Sequence, residues 1–462
     1  MAGREGVTAA ASARRDTPHQ RAWYWYDWAN SAYVTTTTTV LFAPYLTALA
    51  EADACPSLPD GASCTSTLDV LGIPVSPGSL VPYTLTLSTI VSALVLVFVG
   101  AVADRSPRPT SLFAGFAWTG SAAAAAMFAV AGTNWRLGVL LLVLANLCLG
   151  ASLVIYDSLL CRIAGPDERD RVSSRGWALG YLGGGLLLVL NLGLLQLHTT
   201  FGLSRPDAVR VSLLSAGLWW AGFTLIPVLG LRDLRGTTAT PVQRGAGVVG
   251  GSMAQLRSTF QELRAFPQTM LFLLAYLFYN DGIQTVIGSA SLYGARELRL
   301  GETQLVTTVL LVQFVAFAGA LLFGRLALVF GAWRVVLASL GLWLLVVALA
   351  LFVPAGAFGQ FLALAVLIGI VLGGSQALSR SLYSQLVPRG KEAEFFSLYQ
   401  AMERGTSWLG TLIFGLVHQL TGSYREAIAA LVVFFLVGGV LLARVRMAEG
   451  IVAAGNTVPR VV

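Results

Sequence analysis

Asn280 and Asp281 stand about 11 residues inside an apolar stretch that begins at Thr269, roughly 16 Å along a helix. Polar groups that deep in hydrocarbon are expensive, and chains keep them where a solute, an ion or a proton must be handled. Tyr276, Asn280 and Gln284 recur every fourth residue and share one helix face, while Gly282 weakens the helix at the same level. Polar groups beside a helix break at mid-membrane commonly build a solute site. The plainer alternative is a buried pair bonded to a neighbouring helix. The cavity-lining reading is adopted, and Asp281→Asn is expected to impair transport in a protein that still reaches the membrane.

Three further constellations carry charge into apolar stretches. In Trp23-Tyr-Trp-Tyr-Asp-Trp-Ala-Asn-Ser-Ala-Tyr33, Asp27, Asn30, Ser31 and Val34 share one helix face, and Tyr26, Ala29, Asn30 and Tyr33 line the next. Asp27 falls a residue or two inside the expected helix start, where the N-terminal dipole favours a carboxylate and the acid would anchor the inner mouth. Asp157 and Arg380 hold equivalent places in two halves of the chain. They can meet across the axis as an inner gate, or Arg108 can take Asp157 in a latch within one half; the latch is preferred. Glu403 and Arg404 are adjacent, so they point in different directions. Either they bind a zwitterion's ends or carry a proton, or they pair with neighbouring helices.

These residues need a frame, and composition says which. Of 462 residues 56% are hydrophobic and 11% charged, with a mean hydropathy of +0.72. Soluble domains carry roughly 25% charged residues, so the chain reads as an integral membrane protein. Its net charge of +7 lies in scattered arginines that suit anionic lipid heads, not a nucleic-acid stripe. His19, His198 and His418 have no metal-ligand spacing, no GxxxxGK[ST] loop occurs, and no nucleophile–base pattern presents itself. No cofactor, metal or enzymatic activity is expected. Cys148 and Cys161 read as packing residues, whereas Cys55 and Cys64 flank a Pro/Asp/Gly loop and are left open as a disulfide. No apolar signal core precedes Trp23, so the first span is expected to serve as an uncleaved signal.

A spanning helix needs about 20 apolar residues. Such stretches fall near 26–49, 82–103, 110–131, 137–161, 174–197, 210–230, 269–291, 304–328, 333–353, 358–383, 395–419 and 424–444. The expected organisation is a tail 1–22, a six-helix half 23–231, a linker 232–268, a second half 269–445 and a tail 446–462. With the N-terminus inside, about 22 basic residues lie on the inner side and about six on the outer. The loop from Glu51 to Val81 has no Lys or Arg and belongs outside. Both termini and the linker are then cytoplasmic, in a multi-pass cell-membrane protein. The halves repeat: Gly150-Ala-Ser-Leu-Val-Ile-Tyr-Asp157 aligns without gaps to Gly373-Gly-Ser-Gln-Ala-Leu-Ser-Arg380, and Tyr26-Asp27 echoes Tyr279-Asn280. Gly176, Gly180 and Gly184 mark a close helix crossing, expected also to serve as a sliding surface.

After the second span, Gly100-Ala-Val-Ala-Asp104-Arg-Ser-Pro-Arg108 resembles the loop signature of the major facilitator superfamily. Gly100 permits close approach, and Asp104 can accept hydrogen bonds from a helix N-terminus. The matching place in the second half keeps Gly324 but has Leu328 for the acid. Tyr26-Asp-Trp-Ala-Asn-Ser-Ala-Tyr33 resembles the opening signature of the vacuolar effluxer (autophagy-related amino-acid effluxer) family within that superfamily. So do Ser173–Gly185, Tyr279–Val286 and Gly374–Tyr383 running on to Glu392-Ala-Glu-Phe-Phe396. The resemblance implies an all-α, twelve-helix major-facilitator fold and export of small solutes, amino acids in the fungal vacuolar members.

The expected function is secondary active transport by alternating access, with protons as partner and Asp281, Glu403 and Asp27 as carriers in that order. Efflux of amphipathic drugs is one rival. A non-transporting scaffold or sensor, indifferent to changes at Asn280 and Asp281, is the other.

Overall fold

Lipid offers no hydrogen bonds, so every backbone N–H and C=O in it must be paired within the chain, and long apolar runs meet that demand as helices. The computed structural model describes residues 16–56, 64–70, 72–234, 261–405 and 407–462. Among them ten helices are long and apolar enough to cross a bilayer. Spans 2 to 6 are Pro77–Arg105, Pro109–Ala129, Trp135–Ile163, Arg169–Gln196 and Arg205–Gly230. Spans 7 to 10 are Pro267–Arg296, Glu302–Phe330, Ala332–Ala350 and Phe358–Gln385, and span 12 is Tyr424–Ala443. Span 1 is segmented, running as Pro18–Tyr33, a π-helical Val34–Leu41 and Phe42–Ala54. Span 11 is described as Glu392–Gly405 and Ser407–Thr421, on either side of residue 406.

Span 1 starts earlier than expected. Thr17 caps it, exchanging hydrogen bonds with Gln20, and Pro18 opens its first turn. Asp27 therefore lies about nine residues inside, beyond the reach of the N-terminal dipole, which fades within one turn. The expected dipole role is corrected: this buried acid is held by something else. Of the expected tail and linker, residues 1–15 and 235–260 lie outside the described residues.

Two apolar cores form. One, around Trp23, Tyr26, Tyr156 and Trp220, belongs to spans 1 to 6; the other, around Tyr276, Tyr279, Trp343 and Phe435, to spans 7 to 12. Each reaches into the other once, through Val97 and Ala393, where spans 2 and 11 meet. Both described ends of the chain lie on one face, which we call the termini face: Gln20 donates to Ile163 O, and Asn456 donates to Gln385 O. The short helix Met447–Ala453 lies there too, with Arg446 N donating to Gln268. On the opposite face, Cys55 and Cys64 form a disulfide, and strands β1 (Leu68–Val70) and β2 (Ile73–Val75) pair antiparallel. That resolves the cysteine question in favour of the bond.

Apolar attraction between helices is weak in lipid, so close approach relies on small residues. In span 5, Gly176 packs on Asp27, Gly180 on Ser31 and Gly184 on Thr35, all in span 1 of the same half. The stripe is thus a close crossing within the first half. Gly176 also meets Arg380 across the halves, and Gly185 faces Gln313 and Phe314 there.

Candidate substrate cavity and its closed end

A cavity of about 330 Å³ lies between the halves, lined by residues of spans 1, 4, 5, 7, 8, 10 and 11. Along span 10 the lining runs from Phe361 to Arg380, about 28 Å, so the space reaches toward the disulfide-bearing face. Its upper wall is apolar, with Ile287, Val309, Val312, Ile368 and Leu372. Its floor is charged.

The floor is organised by one guanidinium. Arg380 of span 10 donates to Asp27 of span 1 (3.0 Å), to Asp157 of span 4 (3.1 Å), and to Ser173 Oγ and O of span 5 (3.0 and 3.1 Å). All three charged side chains are buried. The guanidinium also sits 4.7 Å from the Trp23 ring centroid and 5.4 Å from that of Trp177, within cation–π range. Tyr156 donates to Asp27 at 2.8 Å. One cation from the second half thus bridges two acids of the first. A planar fork suits this; an ammonium does not.

A polar chain continues from there. Gln400 donates to Asp157 (2.9 Å) and to Glu403 (3.2 Å), and it accepts from Arg404 Nε (3.3 Å). Glu403 and Arg404 both line the cavity. Among the described residues Arg404 makes that one side-chain hydrogen bond and no ion pair, and its guanidinium lines the cavity beside Glu403.

The termini face is shut by bonds that all cross between halves. Asp104 accepts from the backbone N–H groups of Ala393 (2.9 Å) and Glu394 (2.8 Å), at the start of span 11. Arg169 donates to Ser384 O (2.7 Å), Gln385 donates to Pro166 O (2.8 Å), and Ser381 bonds to Asp170. The expected acceptor role of Asp104 at a helix N-terminus is thus present. Arg108 is exposed on the same face and does not approach Asp157, so the preferred latch gives way to the Asp157–Arg380 pair.

Other expected residues divide. Asp27, Asn30, Gln284, Glu403 and Arg404 line the cavity; Tyr26, Tyr276, Asn280 and Asp281 do not. Tyr26 bonds to Ser152, as Tyr279 does to Ser379 (2.7 Å) in the second half. Tyr276 stacks at 4.3 Å behind Tyr399, which does line the space. Asn280 Oδ1 accepts from Gln376 (2.9 Å), and its Nδ2 donates to Glu403 O (3.4 Å). Asp281 accepts from Gly410 N (2.8 Å). The dipeptide therefore serves two backbone groups of span 11, the carbonyl of Glu403 and the N–H of Gly410. It supports the wall through these bonds instead of facing the cavity. We expect Asp281→Ala to lower stability by about 1–3 kcal/mol, the penalty for orphaning a buried donor. Asp281→Asn, whose amide oxygen can still accept, should cost less in thermal unfolding. Equal losses would mean that the charge matters more than the hydrogen bond.

Sequence reasoning passed over Gln376 and Gln400. Each stands four residues before an arginine, Arg380 or Arg404, on the same helix face, and that spacing was the available signal.

Twelve helices in two halves, a polar cavity between them and a lock on one face define a major-facilitator transporter. A bacterial homologue of the iron transporter ferroportin, solved in an outward-facing state, has this fold (TM-score 0.65, 16% identity, 92% of this chain and 98% of that one). So does the human organic anion transporter MFSD10 (TETRAN), at a TM-score of 0.64, 12% identity, and 92% and 99% coverage. The family described as "Vacuole effluxer Atg22 like" matches residues 15–455, and the chain belongs to it. Its relatives include the uncharacterized MFS-type transporter YxiO of Bacillus subtilis (strain 168), 29% identical over 93% of this chain and 95% of the relative. Autophagy-related protein 22-2 of Emericella nidulans is 28% identical over 77% and 75%.

Proposed function

We propose that this effluxer-family transporter exports small zwitterionic solutes, amino acids foremost, across a cell membrane, with both termini in the cytoplasm and protons as the driving ion. The observation that carries the substrate class is the unpaired Arg404 guanidinium beside Glu403, under apolar walls. Arg404 suits a carboxylate and Glu403 an ammonium, while Ile287, Val312 and Leu372 receive an apolar side chain. The clustering of basic residues on the termini face supports the orientation. Proton coupling is placed on the floor instead of on Asp281. When the termini face opens, Arg380 withdraws with its own half and leaves Asp27 and Asp157 facing each other. Like charges in a confined site disfavour joint ionisation, and taking up a proton relieves it.

The direct test is flux into and out of proteoliposomes with a mixed amino-acid panel, with and without an imposed pH gradient. We expect Arg404→Gln to raise KM at least tenfold for neutral amino acids, about 1.4 kcal/mol of lost binding. The same change should leave amines without a carboxylate within twofold. Unaltered amino-acid KM, or transport of cationic dyes unaffected by leucine, would turn the reading toward amphipathic-compound efflux. No flux of any kind, with changes at Arg380 and Arg404 silent, would turn it toward a scaffold.

A further inference from the structure

A second hollow opens on the termini face, away from the transport cavity, between span 3 and the end of span 6. It encloses about 920 Å³, and its rim carries Arg108, Arg232 and Asp233. Below the rim the lining follows one face of span 3 through Ser111 and Gly115 to Trp118. From Thr110 to Trp118 that is about 12 Å along the helix, somewhat under half the hydrocarbon thickness. Ser111, Gly115 and Trp118 are all exposed. A Cβ added at Gly115 would meet nothing within 4 Å, so the missing side chain leaves the trench open.

The rim has its own charge logic. Arg108 and Arg232 form no ion pair among the described residues. The acid between them is already engaged, since Asp233 bonds His19 through both oxygens at 3.1 Å. That hydrogen bond holds the Asp233 carboxyl below its usual range. Two guanidiniums thus line a hollow that continues along an exposed face of span 3.

We propose that this groove holds a phospholipid from the adjoining leaflet, its phosphate between Arg108 and Arg232 and one acyl chain along span 3 past Gly115 to Trp118. A guanidinium fork matches a phosphate's oxygens. The trench is what separates a lipid from a free anion: phosphate alone would leave the roughly 10 Å of groove from Ser111 to Trp118 unfilled.

The test is native mass spectrometry of the full-length protein, released from detergent after exposure to phosphatidylglycerol, phosphatidylethanolamine, diacylglycerol or inorganic phosphate. Retention of either phospholipid, but not of diacylglycerol, is expected. Arg108→Gln combined with Arg232→Gln should cut retention at least tenfold. Gly115→Leu should do the same with both arginines intact, because its side chain occupies the trench without touching the fold. Thermal unfolding checks that each variant is folded. Undiminished retention in Gly115→Leu would overturn the proposal, leaving only surface attraction between charges. Loss of phospholipid to equimolar inorganic phosphate, or retention in the double arginine variant, would overturn it as well.

Discussion

Arg380→Ala is expected to abolish transport and to lower stability by about 3–5 kcal/mol, because it leaves two buried carboxylates with no cation between them. The charge origin of that loss can be isolated. Combining Arg380→Ala with Asp27→Asn and Asp157→Asn removes every uncompensated charge, and should restore most of the melting temperature but none of the flux. Thermal unfolding and proteoliposome transport read the two effects separately. A triple variant as unstable as the single one would assign the role of Arg380 to packing against Trp23 and Trp177. Arg380→Lys should fall in between, since an ammonium keeps the charge but cannot reach both acids and Ser173 in one plane.

Gly100→Val is expected to act differently, shifting conformation without unfolding the chain. A Cβ at Gly100 would lie 2.5 Å from Ala393 O, 2.8 Å from Ser397 Cβ and 2.9 Å from Glu394 Cα. All three atoms belong to span 11, in the opposite half, and they approach Gly100 only while the termini face is shut. Valine therefore penalises this state, in which the nearest atoms to the added Cβ belong to the opposite half. A cysteine at Ser397, which is fully buried here, should react with a membrane-impermeant maleimide from the termini side at least tenfold faster in the valine background. Cys148 and Cys161 would be replaced by alanine for the measurement. A collapse of melting temperature with no change in labelling would sink this reading. The same close approach explains why Asp104, one turn further along span 2, can reach the first N–H groups of span 11.

The spans and their pairing into halves were legible because hydrocarbon leaves the backbone little choice, and a run of apolar residues declares a helix wherever it lies. The Asp104 signature was legible for a related reason: a glycine and an acid four residues apart fall on one face. What the chain order concealed was direction. Asn280 and Asp281 are the deepest polar pair, but depth does not say which side of the helix meets the cavity, and the span 11 backbone groups they bond leave no mark in the apolar pattern. Asp157 posed the same problem. Two arginines lay within plausible reach, and only the tilt of span 10 against spans 1, 4 and 5 selects Arg380. Asp27 lies deeper in its helix than the rise in hydrophobicity implies, because Thr17 and Pro18 begin that helix in polar sequence.

The two halves match in shape but not in charge. Tyr26 and Tyr279 each hand a hydroxyl to a serine of a neighbouring helix. Their successors are Asp27 and Asn280, and the counterpart of Asp157 is Arg380. Two copies of the first half would bring four carboxylates together at the centre, and two copies of the second would oppose two guanidiniums. Neither symmetric pairing could shut itself. A bridge of one cation over two acids therefore needs two unlike halves on one chain: the closure is built from their difference in charge, not from their likeness in shape.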